Sequence, residues 1–264
     1  MKNAFGVRIL AVVMGCLVAL LSGCGEQAAA NTVNSLDDQS GKKIGVQLKT
    51  TGDVYASDIE DAEVVRFNRG IDAVTALKKG VIDAVIIDDA PAKVFVAQVS
   101  GLKLLDEPFA DEEYGIAVNK NNPELLEQIN AALEKLEEDG TLEQIKNAWI
   151  MGETQTSAYE GNGQNAYANG VMKMITNAEF PPYENMTEDG EIVGIDVDIM
   201  RAVCDELDMR LEVENTAFDS VIVSVERGMS SAAASGITIT PDRLEHVDFS
   251  NPYTKAKQVV IVRE

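Results

Sequence analysis

Short β-branched runs alternate with helical patterns along this sequence, and that alternation constrains the fold more than any other feature. Parallel strands need a crossover of a dozen or more residues, usually a helix, to bring the chain back. The alternation therefore argues for an α/β protein built of βαβ units with largely parallel sheets. Lys43–Gln47, Val64–Phe67 and Asp83–Ile87 read as strands of one lobe, with helices near 69–79 and 90–99. Val171–Thr176, Arg210–Glu214 and Ala232–Ala234 read as strands of another, whose main helix runs from about Asp196 to Leu207. The two halves echo one another. Asp72–Gly80 and Ser220–Gly228 have equal length, a helical period and a closing glycine, and a small apolar strand follows each.

Between these halves the sequence is helical and then structureless. Asn122-Pro123 reads as a cap followed by proline at the first helical position. Leu126, Ile129, Leu133 and Leu136 form one apolar stripe, and Gly140 ends it. Thr141 with Gln144 has the pattern of a capping box opening a second helix to about Trp149. Residues 151–170 are rich in Gly, Ser, Thr, Asn and Gln without apolar period, as a flexible linker is.

The amino terminus reads as an export signal. Lys2 and Arg8 precede an apolar run from Ile9 to Leu21, shorter than the ~20 residues that span a bilayer. Leu21-Ser22-Gly23-Cys24 then resembles the lipobox of bacterial lipoproteins, which implies cleavage before Cys24 and a diacylglycerol anchor on its sulfur. A signal peptide over 1–23 and a polar tether over 24–41 follow from that reading. Residues 24–264 carry 20 basic against 44 acidic side chains, a net charge of −24. Such a surface repels nucleic acid. Cys204 is the remaining cysteine beyond Cys16 and Cys24, so no disulfide is expected, and with His246 the single histidine no zinc site is expected.

Two sets of motifs resemble the extracellular solute-binding proteins of polar amino acid ABC importers. The second half carries Thr176-Asn-Ala-Glu-Phe-Pro-Pro-Tyr-Glu184, Gly194-Ile-Asp-Val-Asp198, Ser235-Gly-Ile-Thr-Ile-Thr-Pro-Asp-Arg243 and Val247-Asp-Phe-Ser-Asn-Pro-Tyr253. The first half carries Gly41-Lys-Lys-Ile-Gly-Val-Gln47, Thr50-Thr-Gly52, Asp83-Ala-Val-Ile-Ile-Asp88 and Asp139-Gly-Thr141. The resemblance implies a two-lobe, type II periplasmic-binding-protein-like α/β fold with the ligand cleft between lobes. The order of the two halves is the reverse of the family's, as in a circular permutation. Lobe 2 is then expected over 42–118, helices packing on lobe 1 over 119–150, the joining linker over 151–170, lobe 1 over 171–257 and a hinge strand over 258–264. The other hinge strand is expected near Tyr114–Asn119.

The resemblance also implies how a free amino acid would be held. Burying its carboxylate or ammonium without a partner costs several kcal/mol, so each needs an opposite charge. Arg243 falls at the family's carboxylate arginine, with Thr238, the Gly236 and Thr238 N–H groups and Thr51 beside it. Asp88 falls at the ammonium site, which Gly236 also faces; the neighbouring Asp89 reads as a helix cap. Phe180, Phe218, Asn177, Gln47 and Ile87 fall at positions around the ligand side chain. By residue type alone, the phenylalanines read as core residues sooner than as ligand contacts, while Asn177 is equally a turn residue and Gln47 equally a strand-face residue. The implied function is capture of an amino acid by hinge closure and delivery to an ABC importer permease, by a monomer without cofactor or metal. A sensor domain acting on a membrane receptor is one alternative. A periplasmic dehydratase-like enzyme is another, for which Glu179 is the acid inside a pocket motif.

Overall fold

The computed structural model describes residues 30–161, 163 and 166–264. Cys24 and the expected signal peptide lie outside the described residues. No described helix is long and apolar enough to cross a membrane.

The first half of the chain opens with β1 (Lys43–Gln47), α1 (Thr51–Ser57), β2 (Glu63–Phe67), α2 (Gly70–Lys78), β3 (Ala84–Asp88) and α3 (Asp89–Gln98). β4 (Leu102–Leu104) and β5 (Ala110–Tyr114) follow, then β6 (Ala117–Val118), α4 (Pro123–Glu138) and α5 (Thr141–Ile150). The second half runs β7 (Val171–Thr176), β8 (Glu179–Phe180), β9 (Glu184–Met186), β10 (Ile192–Val193), α6 (Ile195–Glu206) and β11 (Arg210–Asn215). It closes with α7 (Phe218–Glu226), β12 (Ala232–Ala233), α8 (Pro241–Leu244), β13 (Asp248–Phe249) and β14 (Thr254–Arg263).

Two mixed sheets result, rather than largely parallel ones. β2, β1 and β3 are parallel, but β14 then runs antiparallel to β3 and pairs with β4 and β5 on its other side. β11, β7 and β12 are likewise parallel, with β6 antiparallel to β12 and β13 antiparallel to β6. The antiparallel members are the strands exchanged between halves: β6 leaves the first half for the second half's sheet, and β14 makes the return. Both crossings, between Tyr114 and Ala117 and between Phe249 and Thr254, are covalent. The strand expected over 258–264 thus begins at Thr254, and residues 254–257 pair in the sheet of lobe 2, not lobe 1.

Each sheet is covered on both faces, and strand alternation shows it. On β3, Ala84 and Ile86 join Ile44, Val46 and Val260 on one face, while Val85 and Ile87 join Val74, Leu77 and Phe95 on the other. In the second sheet Ile175 and Ala233 pack with Val221 and Val225, while Met172 and Met174 pack toward α4, α5 and α6. Cys204 is buried in that latter cluster.

Local signals largely set the helices. Asn122 Oδ1 accepts from Leu125 N–H at 3.3 Å, capping α4, and the buried stripe runs through Leu125 rather than the half-buried Leu126. Gly140, at φ +83°, separates α4 from α5 in the left-handed region where glycine carries no Cβ penalty. The capping box expected from Thr141 does not form. Thr141 lies inside α5, and Asp139 Oδ1 takes its N–H at 2.9 Å.

Two segments expected to be loose are partly packed. Within the tether, Val33 is fully buried against Ile44, Val46 and Val260, and Leu36–Gln39 forms a 3-10 turn. Within the linker, Ser157, Ala158 and Tyr159 dock on α6. Asp198, itself fully buried, accepts from Trp149 Nε1 (2.8 Å), Ala158 N–H (2.6 Å), Ser157 Oγ (2.7 Å) and Arg201 Nη1 (3.0 Å). One carboxylate therefore ties α5, the linker and α6 together.

Candidate functional site

The parallel strands of both sheets end toward a common cleft, the usual place for ligands of open α/β sheets. β1 ends at Gln47 and β3 at Asp88; β7 is followed by Asn177 and β12 by Ser235-Gly236. Between them lies a small, nearly closed cavity. Gln47, Thr50, Thr51 and Asp88 line it from one side, and Asn177, Phe180, Phe218, Gly236, Thr238 and Arg243 from the other, with Ser235 beneath.

Ile87 is the expected residue that does not line it. Adjacent strand residues face opposite sides of a sheet, so with Asp88 at the cleft Ile87 turns into the core beside Gly70 and Phe95. Asp89 is no cap either. It occupies the first turn of α3, paired with Lys93 at 2.5 Å. Glu179 lies outside the cavity lining, 3.2 Å from Arg69.

Arg243 is half-buried from α8 and reaches across the cleft. Its Nη1 donates to Thr238 O at 2.8 Å and its Nη2 to Lys49 O at 3.2 Å, and its guanidinium lies 5.6 Å from the Phe218 ring centre. Gly236 needs its left-handed φ of +52°. A Cβ there would stand 2.7 Å from Phe180 Cε1. Its N–H is already taken by Asp196 Oδ2 at 2.7 Å, so it has no N–H to offer a ligand carboxylate, contrary to expectation. The carbonyl can still accept from an ammonium.

Asp88 is buried at 5% exposure and accepts from Tyr114 Oη. Burial pushes its carboxyl up to about 8, with Glu112 adding to the rise. Glu112 was invisible as a site residue. It lies on β5 at 4% exposure and accepts from Thr238 Oγ1 (2.9 Å) and Gln258 Nε2 (3.1 Å). Gln258 also donates to Thr51 Oγ1 at 3.3 Å. The hydroxyls of Thr51 and Thr238 are thus linked through side chains of β5 and β14. Further contacts draw the lobes together: Gln47 Nε2 donates to Asn177 Oδ1 at 2.9 Å, and Arg69 of α2 pairs with Glu179. Under the floor, Glu184 and Asp196 are both fully buried. Burial raises Asp196 to about 6 and Glu184 well above the usual range. Glu184 Oε1 accepts from Ser235 Oγ, which accepts from Asn177 N–H, so this pair fixes the loop beneath the cavity. No group of acids, histidines and cysteines suited to a metal occurs among the described residues.

The sequence model of the bacterial extracellular solute-binding proteins, family 3, matches residues 36–152 and 172–264. Among similar proteins, the "Probable histidine-binding protein" of Neisseria gonorrhoeae is 36% identical over 111 residues, 40% of this chain and 41% of that protein. The "ABC transporter glutamine-binding protein GlnH" of Bacillus subtilis (strain 168) is 35% identical over 109 residues, 41% of this chain and 40% of that one. The chain spans about two-fifths of the length of these curated relatives in each match. A solved ancestral arginine-binding protein bound to arginine is 35% identical over 32% of this chain and 38% of its own, with a TM-score of 0.32. With both halves of its sequence matched, on either side of the Gly- and Asn-rich segment, the chain belongs to the bacterial extracellular solute-binding proteins, family 3.

Proposed function

We propose that this protein captures a free amino acid outside the cytoplasm and presents it to the permease of an ABC importer. The observation that carries the reading is the pairing of opposite charges across one small cavity: Arg243 from lobe 1 and Asp88 from lobe 2. A guanidinium fork suits a carboxylate, and a buried carboxylate suits an ammonium. The Gln47–Asn177 amide pair and the rings of Phe180 and Phe218 would face the side chain. Ligand contacts to both lobes favour the closed arrangement, and the permease would recognise that shape. The relatives named for histidine and glutamine support an amino acid as ligand. On this reading the protein is a monomeric, non-enzymatic binding protein anchored through Cys24.

A circular permutation accounts for the chain order. It is supported by the uncovered stretch 153–171 between the two matched blocks, and by the return of β14 into the sheet that β1 opens. The linker would then join what are the ends of other family members.

Calorimetry of residues 26–264 against the twenty amino acids tests the function. Micromolar or tighter binding of one class is expected. Removing one partner of a buried charge pair costs ~2–5 kcal/mol, so Arg243→Ala and Asp88→Ala should each weaken it at least ~30-fold. A well-folded protein that binds none of them refutes the reading.

A further inference from the structure

We propose that Glu112 is a positioning residue that sets the hydrogen-bonding sense of two cavity hydroxyls. It turns Thr238 into an acceptor for the ligand's ammonium and Thr51 into a donor to the ligand's carboxylate. The inference rests on the amino-acid reading above and deepens it. Glu112 itself does not line the cavity. It stands two residues before Tyr114 on β5, so both side chains leave the strand on one face. Tyr114 Oη donates to Asp88. Glu112 Oε2 accepts from the Thr238 hydroxyl at 2.9 Å and from Gln258 Nε2 at 3.1 Å.

A carboxylate offers lone pairs and no donor. The hydrogen of the Thr238 hydroxyl is therefore taken by Glu112, and what this hydroxyl presents to the cavity can only accept. The same oxygen fixes the amide of Gln258, which is fully buried on β14. Turned over, that amide would set its Oε1 against Glu112 Oε2, acceptor facing acceptor. As held, Gln258 Oε1 has no partner among the described residues, while Nε2 donates a second time, to Thr51 Oγ1 at 3.3 Å. The Thr51 hydroxyl thus accepts from behind and keeps its hydrogen for the cavity that it lines. One carboxylate so gives opposite senses to a threonine of each lobe. By sequence the Thr238 hydroxyl is expected beside Arg243 at the ligand's carboxylate; this sense sends it to the ammonium, with Asp88 and the Gly236 carbonyl. Thr51 is left with Arg243 on the carboxylate.

The probes are the best-binding amino acid and the same acid without its α-amino group, titrated by protein NMR, which measures millimolar binding. Their affinity ratio is the preference for the ammonium. Glu112→Leu frees the Thr238 hydrogen and should lower that ratio ~10-fold, about the worth of one hydrogen bond to a charged group. Glu112→Gln can keep an oxygen at the Oε2 position and place its nitrogen where Oε1 has no partner, so it should preserve the ratio. Thr238→Val should lower the ratio as Glu112→Leu does, whereas Thr51→Val should weaken both probes alike. A merely structural Glu112 would weaken both probes equally in the leucine variant and leave their ratio unchanged. That result overturns the proposal while leaving the amino-acid reading intact, and so does loss of the ratio in Glu112→Gln. Should Glu112→Leu not fold, Thr238→Val decides, and equal weakening of both probes there overturns the proposal. Absence of wild-type binding by every amino acid removes both readings.

Discussion

Asp198 offers the sharpest test of how the linker is held. Substitution by alanine removes the acceptor of four donors at once: Trp149 Nε1, Ala158 N–H, Ser157 Oγ and Arg201 Nη1. Trp149 is 8% exposed, so its N–H loses its partner where water is scarce. A buried donor so orphaned costs ~1–3 kcal/mol, and a hydrogen bond to a charged group is worth ~1.5–3. Ser157 and Ala158 are half-buried and can recruit water, and the Arg201 pair, whose arginine side chain is 40% exposed, adds little. The sum comes to about 3 kcal/mol. For a domain of this size that lowers Tm by ~6–12 °C. Thermal and urea unfolding followed by circular dichroism measure it, and Trp149 fluorescence reports the same site locally. Protease cleavage within 151–170 should also accelerate in the variant, because the segment loses its dock. A stability loss below 1 kcal/mol, or unchanged cleavage, would refute the view that Asp198 anchors the linker.

Other substitutions probe the cavity and its supports. Gly236→Ala should abolish measurable amino acid binding by calorimetry, because the new Cβ would meet Phe180 at 2.7 Å in a left-handed backbone; retained affinity would show that the ring can move aside. Deleting residues 30–35 should cost about 2 kcal/mol in urea unfolding through the loss of buried Val33, whereas a free tether would cost nothing. Asp88, Asp196 and Glu184 have raised carboxyls, so the folded protein holds more protons than the unfolded chain between about pH 4 and 8. Its stability without ligand should therefore fall as pH rises through that window, by up to ~1.4 kcal/mol per unit for each group. Glu184→Gln should shallow the slope measured by thermal shift.

The strands and helices of both halves were legible because their apolar periods match the elements that form. Lys43–Gln47 and Val171–Thr176 are observed at the expected limits. What escaped was information carried by partners distant in sequence. Glu112 sits in the acidic run Asp111-Glu112-Glu113, which reads as a solvated face. The two-residue period does place it on the same face as Tyr114, yet its buried partners, Thr238 and Gln258, come from far along the sequence. The Gly236 N–H was assigned to a ligand because nothing in the motif announces Asp196 as its acceptor. Ser157–Tyr159 lack any apolar period, and their dock is made of hydrogen bonds that periodicity does not report.

The placement of β14 also bears on how the molecule assembles. β1, β2 and β3 precede the whole of lobe 1 in the chain, yet Ile44 and Ile86 share their core with Val260 and Val262. The half that is translated first thus waits for a strand translated after the other half, and its sheet has an open edge at β3 until then. Contacts of such sequence separation form slowly, and the exposed edge is a site for mispairing in the interval. Lobe 1 needs only β6, α4 and α5, which precede it, and can form first. The nascent protein should accordingly acquire its structure in the reverse of its reading order, remaining extended through its leading segment while it emerges.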